Sequence, residues 1–182
     1  SGDDFYFVDS TGDVTVELAD EGYDKVRSSV DWTLTDHFEM LELREEAIFG
    51  GGNDISNTIH GNENNNRLLG VGGNDTLLGG EGDDTIIDGG SFDTCRGDEG
   101  DDTFLPTKDS MRDNFYGGDG IDTVSYAHAT ESILINFAAR WAGSSGWATE
   151  RGAPNYLHSI ERGIGGSGND QLIGFEDTIY LA

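Results

Sequence analysis

A short oxygen-bearing side chain recurs in a nine-residue rhythm through the middle of this chain: Asn57, Asn66, Asp75, Asp84, Asp93 and Asp102, then Asp113 and Asp122, and later Asp170. Two places after each stands Ile59, Leu68, Leu77, Ile86, Cys95, Phe104, Phe115, Val124 or Leu172. Carboxylates at a fixed spacing can share a cation, or they can merely solvate a set of turns. A lone Asp-Gly turn favours the second use. Nine positions kept in register favour the first.

The rhythm belongs to a repeat. Residues 52–105 divide without a gap into GNDISNTIH, GNENNNRLL, GVGGNDTLL, GGEGDDTII, DGGSFDTCR and GDEGDDTFL. Pro106 and Thr107 interrupt, KDSMRDNFY and GGDGIDTVS continue to Ser125, GGSGNDQLI fills 165–173, and a degenerate GFEDTIYLA follows. Glycine in the first, second and fourth columns permits positive φ, so six residues can turn tightly with carbonyls aimed inward. The last three form a short strand, often opening on β-branched Thr, with its central residue toward a core. Two units make one coil. Successive coils stack at the strand spacing of ~4.8 Å into two short parallel sheets.

Stacking sets the sixth-column carboxylate of one unit against that of the next unit but one. Asp84 meets Asp102 on one edge, a repulsive pair unless a cation lies between. Two carboxylates with several turn carbonyls make an irregular all-oxygen cage, which suits Ca²⁺ better than Mg²⁺. Apolar burial does not replace that cation. One buried Leu or Ile per unit contributes ~1.5–3 kcal/mol, while ordering each residue's backbone costs ~1–2 kcal/mol.

Composition points the same way. The 182 residues carry 36 Asp+Glu against 10 Lys+Arg, a net charge of −26, with 28 Gly and 35% hydrophobic residues. Asp outnumbers Glu by 23 to 13, so the acid sits on turn-forming side chains. Such charge and low hydropathy ordinarily mark disorder, yet nine Phe, six Tyr and three Trp lie in foldable patterns. Counter-ions are expected to complete the fold. Nucleic-acid binding is excluded for want of a basic face, no run is long enough for a transmembrane helix, and the single Cys95 forms no internal disulfide. No cleavable leader is legible in SGDDF.

GGEGDDTII, GDEGDDTFL, GGDGIDTVS and GGSGNDQLI resemble the RTX (repeats-in-toxin) nonapeptide GGxGxDxUx, a Ca²⁺-binding β-helix repeat. The resemblance implies an all-β fold: a right-handed parallel β-roll, or β-solenoid, with β-rich capping segments on its flanks. It also implies about 4–6 bound Ca²⁺ ions. The family's ligand pattern, carried over, joins Gly80, Gly82 and Asp84 to Gly97, Glu99 and Asp102. On the other edge it joins Val71, Gly73 and Asp75 to Asp88, Gly90 and Asp93. Further sites pair Asn66 with Asp84, Asn57 with Asp75, and Asp102 with Asp122, the two Asn lowering site charge. Gly70, Gly72, Asp98, Gly100, Gly117, Asp119 and Asp170 complete the candidate ligands. The break at Pro106-Thr107, and the missing glycines of KDSMRDNFY, are expected to disturb a site joining Asp93 to Asp113.

Four segments follow: a β-rich cap over 1–51, the nonapeptide roll over 52–125, an insert over 126–164, and the start of a second block over 165–182. In the cap, Val14, Val16 and Leu18, and later Phe38, Met40 or Leu41 and Leu43, alternate as half-buried strands do. The insert holds a strand, ILINF, and a loop bearing Trp141, Trp147 and Tyr156, which packs over the solenoid end or offers a ligand platform. His37, His60, His128 and His158 lack zinc spacing, no GxSxG or EF-hand loop occurs, and the GxGxxG match at 163–168 overlaps a repeat. The chain is therefore expected to be non-catalytic.

The resemblance to RTX domains implies the functional expectation: a module of a larger bacterial protein exported by type I secretion machinery, unfolded at low Ca²⁺ and folded outside the cell. A carbohydrate- or surface-binding role beside a polysaccharide-modifying enzyme is the alternative. Beginning and ending within partial repeats, the chain reads as part of a longer polypeptide, which is its partner together with Ca²⁺.

Overall fold

A three-residue strand with one buried member is the unit from which the molecule is built, as in Thr58–His60 around Ile59 and Thr85–Ile87 around Ile86. A computed structural model describes residues 2–19, 22–109, 111–136, 145–149 and 155–173. In chain order the strands are β1 (Phe5–Val8), β2 (Lys25–Ser28), β3 (Trp32–Thr33), β4 (Met40–Leu43), β5 (Phe49–Gly51) and β6 (Thr58–His60). Next come β7 (Arg67–Leu69), β8 (Thr76–Glu81), β9 (Thr85–Ile87), β10 (Thr94–Glu99), β11 (Thr103–Phe104) and β12 (Asn114–Asp119). The last are β13 (Thr123–Ser125), β14 (Leu134–Asn136), β15 (Ser145–Thr149), β16 (Asn155–His158), β17 (Arg162–Ile164) and β18 (Gln171–Ile173). Among the described residues there is no helix, and so none long and apolar enough to cross a membrane.

Two sheets result, ordered β1-β2-β4-β6-β8-β10-β12-β16-β15-β14-β18 and β17-β13-β11-β9-β7-β5-β3. The chain alternates between them, which makes a solenoid of parallel strands. The eighth column supplies its axis. Ile59, Leu77, Cys95, Phe115 and Leu157 stack in register through one sheet, Leu68, Ile86, Phe104 and Val124 through the other. Each is buried, and Phe104 and Phe115 touch across the axis with ring centroids 5.5 Å apart. Leu172 holds the corresponding place in β18, but its side chain lies outside the described residues.

The Pro106-Thr107 interruption leaves this register intact. Cys95 still opposes Phe115, and Phe104 still opposes Val124. The two extra residues are taken up at the corner, where Leu105 N donates to Ile86 O at 2.8 Å and Thr107 N to Asp88 Oδ1 at 2.8 Å.

Strands β2 to β5, inside the segment expected to cap the roll, continue both sheets: Val26 opposes Leu41, Leu41 opposes Ile59, and Gly50 opposes Leu68. Hydrogen bonding thus runs across the 51/52 boundary. Phe38, Leu41 and Leu43 are buried as their alternation predicts. Val14, Val16 and Leu18 are not; they are 83%, 66% and 62% exposed and lie outside any strand. Their polar neighbours turn inward instead, Glu17 to accept from Tyr6 Oη at 2.8 Å and Thr15 to meet Thr35 Oγ1. These side-chain hydrogen bonds, rather than the apolar alternation, set which residues of the segment face inward.

At the other end, β16 and β17 add directly to β12 and β13, so the chain between Ser125 and Asn155 leaves the coil and returns. ILINF contributes β14, parallel to β18 and antiparallel to β15. Trp147 belongs to β15, where only the backbone is described. Trp141 and the closing GFEDTIYLA lie outside the described residues.

Candidate metal centres at the coil corners

The turn that precedes each strand brings the sixth-column side chain inside the corner, and the next coil fixes its orientation. Each such residue donates its backbone N–H to a side-chain oxygen one coil on. On one edge Asn57 N meets Asp75 Oδ1 at 2.8 Å, Asp75 N meets Asp93 Oδ1 at 2.7 Å, and Asp93 N meets Asp113 Oδ1 at 2.9 Å. On the other, Asn66 N meets Asp84 Oδ1 at 2.7 Å, Asp84 N meets Asp102 Oδ1 at 2.8 Å, and Asp102 N meets Asp122 Oδ1 at 2.9 Å. Two ladders of carboxylates therefore climb the corners, and the Asp84–Asp102 pairing expected from the repeat is one of their rungs.

A ladder uses only one oxygen of each carboxylate. The second, Oδ2, is buried without a hydrogen-bond partner at Asp75, Asp84, Asp93, Asp102 and Asp122, and also at Asp88. Leaving one buried polar atom unpaired ordinarily costs ~1–3 kcal/mol, so a row of them demands a reason. Their surroundings supply one. Asp84 Oδ2 and the carbonyl oxygen of Gly97, from the next coil, both enter the space that a Cβ on Gly79 would fill. Asp75 Oδ2 and Asp88 O converge in the same way at Gly70, and Asp122 Oδ2 and Ser159 O at Gly117. At these corners first-column glycine is thus a spatial requirement. The cradle is an anionic oxygen facing carbonyl oxygen with no donor between them, the donor set of a hard cation.

Electrostatics agree. Burial, partly offset by the ladder hydrogen bond from Asn57 and reinforced by the charge of Asp93, pushes Asp75 up to about 8. Burial raises Asp84, Asp93 and Asp102 to about 7, against the ladder bond each accepts and with the next carboxylate on the edge adding to the rise. Asp113 and Asp122 rise to about 6, again through burial first. Without a cation the corners hold protons at a pH where free aspartate has none.

The sequence-derived ligands divide. The sixth-column aspartates and the carbonyls of Gly97 and Asp88 are brought together as described. Asp93 and Asp113 are joined too, against the disturbance expected from Pro106-Thr107. Asp170 Oδ1 accepts from Ile133 N at 2.8 Å, and its Oδ2 lies in the cradle of Gly165. Val71, Gly73, Gly80, Gly82, Asp98 and Gly100 carry the positive φ that reverses the turns. The carbonyls of Val71 and Asp119 accept Gly90 N at 3.0 Å and Gly100 N at 2.9 Å. Gly72, Gly90 and Glu99 line the same outer turns, the Glu99 side chain exposed.

Asn57 and Asn66 stand apart. Asn57 Oδ1 accepts Asn53 N at 2.7 Å while Nδ2 donates to Phe38 O at 2.8 Å, and Asn53 Nδ2 donates to Thr35 O and Phe38 O. Asn66 Oδ1 accepts Asn62 N at 2.7 Å, and its Nδ2 reaches Ala47 O and Asn62 Oδ1. Each Oδ1 still faces the next coil's carbonyl, Gly70 O at Gly52 and Gly79 O at Gly61, but it is paired with a backbone N–H and the amide nitrogen donates to the preceding coil, so these two corners keep no orphaned oxygen.

Sequence reasoning missed the continuation of the ladders beyond the nonapeptides. Asp4 N donates to Asp24 Oδ1, Asp24 N to Glu39 Oε2, Asp113 N to Asn155 Oδ1 and Asp122 N to Glu161 Oε2. The signal was present in Asp24-x-Val26, Glu39-x-Leu41 and Asn155-x-Leu157, which keep the spacing from sixth to eighth column without the glycines. A second, outer ladder was also missed: Asp83 N donates to Asn65 Oδ1, Asp101 N to Asp83 Oδ1 and Ile121 N to Asp101 Oδ1.

A family model described as the RTX calcium-binding nonapeptide repeat matches the chain in four copies, over residues 51–86, 69–104, 110–125 and 160–180. Together these take in half of its length. No curated protein matches it.

Proposed function

The chain belongs to the family of RTX calcium-binding nonapeptide repeats, and from that premise we propose that it is a calcium-responsive folding module of a larger secreted bacterial protein. The observation that carries this reading is the row of buried, unpartnered Oδ2 atoms on Asp75, Asp84, Asp93, Asp102 and Asp122. Where calcium is scarce, ionised corners oppose stacking and the chain stays extended, the form that suits export through a narrow type I channel. Where calcium is plentiful, the same oxygens and the carbonyls of Gly97, Asp88 and Ser159 bind it and the coils close. At ten times its Kd each filled site contributes ~1.4 kcal/mol, so four or five contribute ~6–7 kcal/mol, the scale of a whole domain's stability. Filling is cooperative, because each site joins two coils. Extracellular modules with Kd values of ~10⁻⁴–10⁻³ M match the change from cytosol to exterior.

The module is read as non-catalytic, with any enzymatic or toxic activity borne elsewhere in the longer polypeptide. The test is far-UV circular dichroism of the chain in chelator and in millimolar calcium. A steep rise of β signal with calcium is expected, and equal structure in both conditions refutes the switch.

One observation favours a second reading, an added affinity for acidic polysaccharide. The outer face of the longer sheet gathers cations onto aromatic rings in a chain otherwise strongly acidic. The guanidinium of Arg96 lies 5.5 Å from the Tyr116 ring, which stacks on His158 at 4.4 Å, and that of Arg112 lies 5.4 Å from Tyr156. Titration with a uronate polymer at fixed calcium tests it; absence of heat leaves the folding module alone.

A further inference from the structure

Column one is glycine at 70, 79, 97, 117 and 165, where the carboxyl of the same unit occupies the space of a Cβ. At 88 the residue is Asp. Its side chain is fully buried, and its Oδ1 is fixed by two donors, Gly89 N at 2.8 Å and Thr107 N at 2.8 Å. The second of those donors exists because Pro106 and Thr107 lengthen the corner. Oδ2 is left without a partner.

Two further carboxylates converge on it. Asp93 is fully buried, its Oδ1 is held by Asp75 N at 2.7 Å, and its Oδ2 has no partner. Asp113 is buried, and its Oδ1 accepts Asp93 N at 2.9 Å. One oxygen from each of Asp88, Asp93 and Asp113 lies within 4.8 Å of the other two. Oxygens bound to one Ca²⁺ at 2.3–2.6 Å can stand at most about 5 Å apart, so the three fit a single coordination sphere.

We propose that Asp88, Asp93 and Asp113 form a three-carboxylate cation site at the Pro106-Thr107 corner, one that binds calcium more tightly than the two-carboxylate corners of the roll. This rests on the reading of the chain as a calcium-binding module, but assigns to the Asp88 side chain a ligand role that the repeat pattern gives only to a carbonyl. Ligand charge count is a main determinant of affinity at oxygen sites. A third carboxylate at direct range is expected to raise affinity over the two-carboxylate corners by on the order of tenfold or more, and more still for a trivalent ion. Ordering at the interruption then begins at lower calcium than at the two-carboxylate corners.

The test is calorimetric titration of the full chain with Ca²⁺, and luminescence titration with Tb³⁺, for the wild type, Asp88→Asn, Asp84→Asn and Asp83→Asn. The last removes an exposed acid as a control for net charge. Asp88→Asn keeps the acceptor for Thr107 N and should abolish one tight step, with its Ca²⁺ affinity falling about tenfold or more while the weaker steps remain. Asp84→Asn and Asp83→Asn should retain the tight step. A tight step unchanged in Asp88→Asn overturns the three-carboxylate site and leaves the calcium module standing. A wild type that takes up no calcium at millimolar concentration overturns both. If Asp88→Asn fails to reach the wild-type dichroism at saturating calcium, Asp113→Asn is titrated instead, and the same two outcomes decide.

Discussion

Replacing Gly97 by alanine isolates the corner geometry from the charge of the chain. A Cβ on residue 97 would come within 3.0 Å of Oδ2 and Cγ of Asp102, and 2.8 Å from its Cβ. Because the Asp102 Cβ itself is too close, no rotamer of that carboxylate relieves the clash; the turn that joins residues 97 and 102 must shift. The shift breaks the 2.8 Å bond from Asp84 N to Asp102 Oδ1 and leaves a buried N–H unpaired. That loss is worth ~1–3 kcal/mol. The cation site sharing Asp102 goes with it, worth ~1.4 kcal/mol at ten times its Kd. The combined effect is about 3 kcal/mol. If four sites remain to restore it by mass action, the calcium midpoint for folding rises roughly four-fold. Gly90→Ala is the matched control, since its added Cβ meets nothing closer than 3.9 Å and the backbone there has ordinary φ. Calcium titrations followed by far-UV circular dichroism compare the two. Coincident midpoints for Gly97→Ala and Gly90→Ala would refute the idea that first-column glycine makes room for a ligating carboxylate.

Three other outcomes follow from the corners. The metal-free fold raises Asp75 to about 8, Asp84 and Asp102 to about 7 and Asp122 to about 6, above the 3.8 of a free aspartate. That fold therefore binds more protons than the unfolded chain, its stability is greatest below about pH 4, and it is lost as pH climbs through 6–8. In chelator, β signal should appear on acidification from pH 8 to pH 5, and a chain equally unfolded at both values contradicts the assignment. Asn66→Asp removes the amide donations to Ala47 O and Asn62 Oδ1, so it should destabilise by ~1–3 kcal/mol at low calcium and recover at high calcium. Urea midpoints at two calcium levels check this, and a deficit that calcium does not touch argues against it. Cys95 is fully buried and its thiol is pushed well up by burial, with nearby aspartates adding. A thiol reagent should label it at least ~100-fold faster in chelator than in millimolar calcium, and equal rates would show that calcium does not order the coils.

The nonapeptide columns made much of the architecture legible. The eighth column named the core residue of each strand from Ile59 to Val124, and the sixth column named the ladder, because both follow directly from which side of a short strand a residue faces. Legibility ended where spacing survived without glycine. Asp24, Glu39, Asn155 and Glu161 continue the ladders through coils whose turns use other residues, so the repeat register did not mark them. Val14, Val16 and Leu18 misled in the opposite sense: their alternation is real, but Tyr6 and Thr35 draw Glu17 and Thr15 inward. At Asp88 the ligand pattern assigned a carbonyl and gave the side chain no role, because column spacing carries no distances between side chains. The approach of Asp93 and Asp113 to that side chain is visible only in three dimensions.

The account rests on metal joining the stacked acidic corners, and anomalous scattering from crystals grown in calcium measures that directly. It predicts a calcium peak in coordination range of Asp84 Oδ2 and Gly97 O, with further peaks at the equivalent corners of Asp75, Asp93 and Asp102. An ordered solenoid grown in calcium with no anomalous peak beside Asp84 would contradict it.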